Sequence, residues 1–186
     1  MIIDRYSVWM ICLENDPRRE MVLPSWSKYT VNRFNAITPK TRSLVDVKLN
    51  FSDNKFTDWK GKVPFSEEEK SSFTSHVLLW KKCAEQDETF CIIEEDVKLR
   101  SPLPAMKEPA LVAIATRRID DYTPTPAAGY IVQPWVAKKM YDYFVATQRL
   151  ITYNVDHHID TRINPRYRNK YLCAYQIEGE SAIARS

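Results

Sequence analysis

Four consecutive apolar residues, Phe90 to Ile93, run without a break into Glu94, Glu95 and Asp96. The run is too short for a helix and rich in β-formers, so it predicts a strand buried on both faces. A chain built on such a strand needs layers above and below it, and the flanking segments have the right signals. Ser66 to Glu69 matches the S-x-x-E capping box, with acids in the first turn. Phe73, Val77, Trp80 and Ala84 then repeat at helical spacing and lead directly into the Phe90 strand.

The same alternation recurs along the chain. Val8 to Leu13 predicts a first strand, after which Asp16 offers a helix N-cap and Pro17 the first helical position. Tyr29 to Phe34 predicts a second strand, and Leu111 to Ala115 and Gly129 to Gln133 predict two more. Pro134 opens a helix with Val136, Met140, Tyr143 and Thr147 on one face. Strands alternating with helices argue for an α/β sandwich with a mostly parallel central sheet. Between them, Thr38 to Lys62 is polar and aperiodic and predicts a long excursion. No repeat, low-complexity tract or linker interrupts this order, so one domain over residues 1–186 is expected.

Composition narrows the function classes. No apolar stretch reaches the length of a membrane span, and the first residues lack the apolar core of a signal peptide, so a cytoplasmic location without a transmembrane segment is expected. Cys12, Cys83, Cys91 and Cys173 lack the paired spacing of zinc or redox sites and suit reduced thiols in the core. The only glycines are Gly61, Gly129 and Gly179, which excludes a glycine-rich phosphate loop. Any nucleotide must be held by another device. A net charge of +3 permits an acidic partner without demanding one.

Three clusters carry candidate chemistry. Open α/β sheets bind ligands outside the carboxyl ends of their strands, where Glu94, Glu95 and Asp96 would lie. Alternation points Glu94 and Asp96 to one side and Glu95 to the other. Two hard oxygen ligands on one side suit Mg²⁺ or Mn²⁺; a solvated loop of charges is the alternative. The acids from Glu67 to Glu69 are helix punctuation. Asn154 to Asp160, NVDHHID, would if extended bring Asp156, His158 and Asp160 to one side, for metal ligation or for local packing. Arg162 to Tyr171 interleaves four cations with two tyrosines, a surface that binds phosphates and stacks on bases or sugars, or a solvated basic turn.

In order, VWMICLENDPRRE (Val8 to Glu20), Phe34-Asn35-Ala36, SHVLLWKKC (Ser75 to Cys83), IIEEDV (Ile92 to Val97), AAGYIV (Ala127 to Val132) and VDHHI (Val155 to Ile159) resemble glycosyltransferase family 25. That group includes bacterial lipopolysaccharide galactosyltransferases and collagen galactosyltransferases. Glu180-Ser181-Ala182-Ile183 is weakly similar to its closing serine-x-isoleucine, and Glu95 departs from its usual middle aspartate. The resemblance implies a GT-A-like nucleotide-sugar-binding fold, inversion at the anomeric carbon and a divalent cation, Mn²⁺ or Mg²⁺. It implies Asp96 and Glu94 as metal ligands, with His158 completing the shell. Glu94 or Glu95 could instead hold donor hydroxyls. Asp156 is the candidate general base. Glu14, Asn15 and Arg18 would contact the nucleotide, and His76 would touch the donor, orient the acidic strand end or satisfy a buried hydrogen bond. Arg166, Arg168 and Lys170 would hold a polyanionic acceptor. The chain is also similar in length to short phage-encoded members, which makes a hydroxymethylated base in DNA an acceptor candidate beside lipopolysaccharide or another saccharide. Asp96-Val97-Lys98 has the D-x-K spacing of a metal-dependent nuclease, and the Glu95 departure admits a non-catalytic sugar-nucleotide-binding relative.

Overall fold

The computed structural model describes residues 5–57, 61–105, 111–116, 127–153, 155 and 168–177. Strand β1 (Ser7–Cys12) is followed by a short helix α1 (Arg18–Val22), a 3-10 turn (Leu23–Trp26) and strand β2 (Val31–Asn35). Helix α2 (Pro39–Arg42) and a hairpin of β3 (Asn54–Thr57) and β4 (Gly61–Pro64) precede the long helix α3 (Glu67–Gln86). Strands β5 (Phe90–Glu94), β6 (Val97–Leu99), β7 (Leu111–Thr116) and β8 (Gly129–Val132), helix α4 (Pro134–Val145) and strand β9 (Arg168–Gln176) complete the described elements.

Seven strands form one sheet in the order β2-β1-β5-β8-β7-β9-β6. Pairing is parallel for β1 with β2 and β5, and for β7 with β9. It is antiparallel where β8 joins β5 and β7, and where β6 joins β9. The result is the expected α/β architecture, compatible with a GT-A-like fold, with antiparallel pairs mixed into the parallel sheet.

Period-two alternation sorts the strand residues between two cores. Phe90 and Ile92 pack on the face covered by α3 and α4, with Phe73, Trp80, Tyr130 and Phe144. Cys91 and Ile93 pack on the other, with Val8, Met10 and Trp26. All four β5 residues from Phe90 to Ile93 are fully buried, as a strand covered on both faces requires. The four cysteines are free and buried.

The Ser66 capping box forms as expected: Ser66 Oγ accepts the Glu69 N–H and Glu69 accepts the Ser66 N–H, both at 3.1 Å. Asp16 accepts the Arg18 N–H, while Pro17 stands at the N-cap position of α1, one residue from the expected start. The described residues of the stretch from Thr38 to Lys62 do not form a bare loop. Thr38 caps α2, and Phe51 bridges to Ile151 and meets Phe65 and Phe73 edge-on. Long-range packing, not local periodicity, orders this segment.

Gly129 begins β8, and a Cβ there would lie 3.0 Å from Ala115 Cβ and 3.3 Å from Ile114 Cγ1. Gly129→Val should therefore overpack the β7–β8 contact and lower stability by about 1–3 kcal/mol. Urea denaturation checks this; an unchanged midpoint would show that β7 yields freely.

Candidate active site

Strand β1 sends the chain to β2 on one side and pairs with β5 on the other, so strand order reverses at β1. The crevice outside the carboxyl ends of β1 and β5 is thus the switch point where open α/β sheets bind ligands. A cavity opens there. Ile11 and Leu13 from β1 and its exit, Ala36 to Pro39 after β2, Ser71, Ser72 and Ser75 from α3, Arg18 from α1, and Glu94, Glu95 and Asp96 line it. The Ser75 hydroxyl accepts the Ile37 N–H at 2.8 Å, which fixes the wall after β2 to α3.

Arg18 is gripped by Asp16. The Asp16 carboxylate accepts the Arg18 backbone N–H at 2.8 Å, Nε at 3.0 Å and a terminal guanidinium nitrogen at 2.6 Å. Held this way, the guanidinium donates to Asp96 Oδ2 at 3.0 Å and lies 3.5 Å from Glu95 Oε1. Glu95 Oε2 accepts the Leu13 N–H at 2.7 Å, tying the end of β1 to the end of β5. Gln176 at the end of β9 turns its amide nitrogen to Glu94 Oε2 at 3.3 Å and to Asp96 Oδ1 at 3.5 Å.

These contacts set the ionisation of the site. The hydrogen bond from Arg18 holds the Asp16 carboxyl below its ordinary value, and the same contact raises the Arg18 guanidinium. Burial raises Asp96, against the opposing pull of Arg18 and Gln176. Burial also pushes Glu95 up to about 7, despite the Leu13 hydrogen bond. For Glu95 and Asp96, desolvation outweighs pairing, so the strand end favours added positive charge.

Glu94 and Asp96 converge on one amide nitrogen, and Glu95 accepts the Leu13 N–H. Glu95 and Asp96 stand in a turn after β5, not in the extended strand that alternation assumes, and both reach Arg18 and line the same cavity. Two hard carboxylate oxygens facing one N–H group are a donor set that fits Mg²⁺ or Mn²⁺. Among the described residues, no three His, Cys, Asp or Glu side chains converge as a metal-binding group, so an ion held there would need further oxygens.

Residues 6–122 match the family model described as Glycosyltransferase family 25 (LPS biosynthesis protein). The chain belongs to glycosyltransferase family 25. No curated protein matches it. The family 25 match runs from β1 through β7 and includes Arg18 and the acidic end of β5; β8, α4 and β9 lie beyond it.

The residues that carry the resemblance divide between cavity and core. His76 is fully buried and does not line the cavity. Its Nδ1 meets the Tyr130 hydroxyl at 2.9 Å, and the Trp80 indole N–H donates to the same hydroxyl at 2.8 Å. The serine-histidine helix and the glycine-tyrosine strand thus meet in one buried network. Glu14 and Asn15 are exposed in the turn after β1, outside the cavity lining, and the Glu14 carbonyl accepts from Arg33. Lys98, the partner of Asp96 in the D-x-K spacing, lies on β6 and does not line the cavity. Asp156, His158 and Arg166 lie outside the described residues. Arg168 and Lys170 are strand residues of β9, paired with Leu111 and Ala113, where a basic turn was one expectation. Asp16, expected only as a helix cap, and Gln176, which has no sequence signal, are the additions the fold makes. Among the described residues no helix is long and apolar enough to cross a membrane.

Proposed function

We propose that this family 25 glycosyltransferase moves a sugar from a nucleotide-sugar donor to a hydroxyl of a saccharide acceptor. The observation that carries the reading is the convergence of Arg18, Glu94 and Asp96 on one cavity at the β1–β5 switch point. The donor diphosphate lies against Arg18, and the nucleoside lies along the wall formed by α3 and the segment after β2. Glu94 and Asp96 would hold Mn²⁺ or Mg²⁺, which when bound supplies positive charge opposite the leaving diphosphate. Arg18, locked by Asp16, presents a fixed charge beside it and needs no reorganisation as the diphosphate departs.

Transfer is a single displacement with inversion in this reading. The acceptor oxygen bonds to the anomeric carbon, the bond to the nucleoside diphosphate breaks, and a base on the acceptor side takes the hydroxyl proton. Asp156 is assigned that role and His158 a place near the cation, both from their motif. The family description, which names LPS biosynthesis, supports a saccharide acceptor.

Thermal shift and donor hydrolysis with uridine, guanosine and cytidine diphosphate sugars, with and without Mn²⁺, test the reading. One nucleotide class should raise Tm, since ligand at 100 times Kd stabilises by about 2.7 kcal/mol. If no nucleotide sugar stabilises the protein or is turned over, the donor assignment falls.

A DNA acceptor gives a separate signature. We expect no salt-dependent affinity for DNA, with or without hydroxymethylcytosine. If binding is found, and neutralising Arg166, Arg168 and Lys170 flattens the log–log salt slope by roughly 0.7 to 0.9 for each phosphate no longer neutralised, DNA replaces the saccharide.

A further inference from the structure

We infer that Gln176 is an oxygen donor of the cation site, its amide facing the carboxylates and able to present them its nitrogen or to turn its carbonyl oxygen inward to an ion. This rests on the reading of Glu94 and Asp96 as cation ligands.

Backbone pairing fixes where Gln176 stands. It is opposite Val97 in the β6–β9 ladder, and the next residue, Ile177, donates its N–H to the Asp96 carbonyl at 2.8 Å. Gln176 is thereby tied to the acidic turn from both sides. Its amide nitrogen then reaches Glu94 Oε2 at 3.3 Å and Asp96 Oδ1 at 3.5 Å. Both distances exceed the usual N–H···O separation of about 2.9–3.0 Å. The nitrogen is shared between two acceptors rather than seated on one. Asp96 Oδ2 is already taken by Arg18, so Oδ1 is the oxygen that faces the amide.

An amide is the neutral side chain that can answer either state of such a site. Without an ion, two carboxylates demand a donor, which fixes the nitrogen inward. With a divalent ion between them, an N–H pointing inward is repelled, and rotation about the last side-chain torsion exchanges nitrogen for a hard oxygen without moving the backbone. Amide carbonyls are ordinary ligands for hard cations.

The test is direct Mn²⁺ binding, by loss of the free-ion electron paramagnetic resonance signal and by calorimetry, with saturating uridine diphosphate and without nucleotide. Gln176→Glu, which adds an anionic oxygen, should tighten Mn²⁺ about tenfold, and Gln176→Leu should weaken it about tenfold. Circular dichroism and metal-free Tm report whether each variant folds; if Gln176→Leu does not, Gln176→Glu and Gln176→Asn carry the test. Wild-type Mn²⁺ affinity in all folded variants would overturn the role of Gln176 while leaving Glu94 and Asp96 in place. Absence of Mn²⁺ binding to the wild-type protein under both conditions would instead overturn the cation reading on which it rests.

Discussion

Replacing Asp96 by asparagine should lower sugar transfer by about 100- to 1,000-fold, since charge stabilisation worth several kcal/mol is lost and each increment of about 1.4 kcal/mol is tenfold in rate. The fold should survive. Arg18 keeps Asp16 as its partner, and the Asp96 carbonyl still accepts the Ile177 N–H. Burial already disfavours the Asp96 charge, so its removal need not destabilise the protein. Steady-state transfer and hydrolysis rates beside Tm check this pair of outcomes. Activity within about fivefold of wild type would take Asp96 out of the site, whereas joint loss of rate and Tm would make it structural.

Acid should unfold this protein partly through His76. Burial lowers the His76 imidazole to about 3 in the folded state, against an ordinary value of 6.5. Between those values the unfolded chain binds the extra proton, so the contribution of the neutral His76 ring is fully present above pH 6.5 and is lost as pH falls toward 3. The slope from one proton is about 1.4 kcal/mol per pH unit. The network explains why the charge finds no relief. Trp80 can only donate, so the Tyr130 oxygen accepts from it and directs its own proton to His76 Nδ1. The ring proton then sits on Nε2, which has no partner among the described residues. His76→Asn keeps an acceptor for Tyr130 and removes the titration. Urea unfolding at about pH 7, 5.5 and 4.5 should show the variant less stable than wild type at neutral pH and the difference closing toward acid, the raised Glu95 carboxyl contributing the same opposite slope to both proteins. Parallel pH profiles would assign the acid sensitivity elsewhere.

Locally encoded features were legible in the residues. Ser66 and Glu69 satisfy orphan helix N–H groups wherever the helix sits, and Phe90 to Ile93 are apolar on both faces of any sheet, so helix, strand and acidic break could be read without a partner. Strand alternation did not carry through that break: β5 ends at Glu94, and Glu95 and Asp96 sit in a turn that brings both to Arg18. The role of Asp16 was half legible: its nearness to Arg18 is local, but that Arg18 reaches Asp96 depends on β1 lying beside β5. Gln176 was not legible at all. It joins the site only because β9 pairs with β6 in one register, and a slip of one residue would turn its side chain to the opposite face. The same holds for His76, whose partner Tyr130 lies 54 residues away on β8, and for the cavity, which exists because strand order reverses at β1. Local sequence determined the elements and their ends, because propensity and capping act within a few residues. Tertiary structure alone decided which ends meet, because strand order and register are set by packing between segments far apart in the chain.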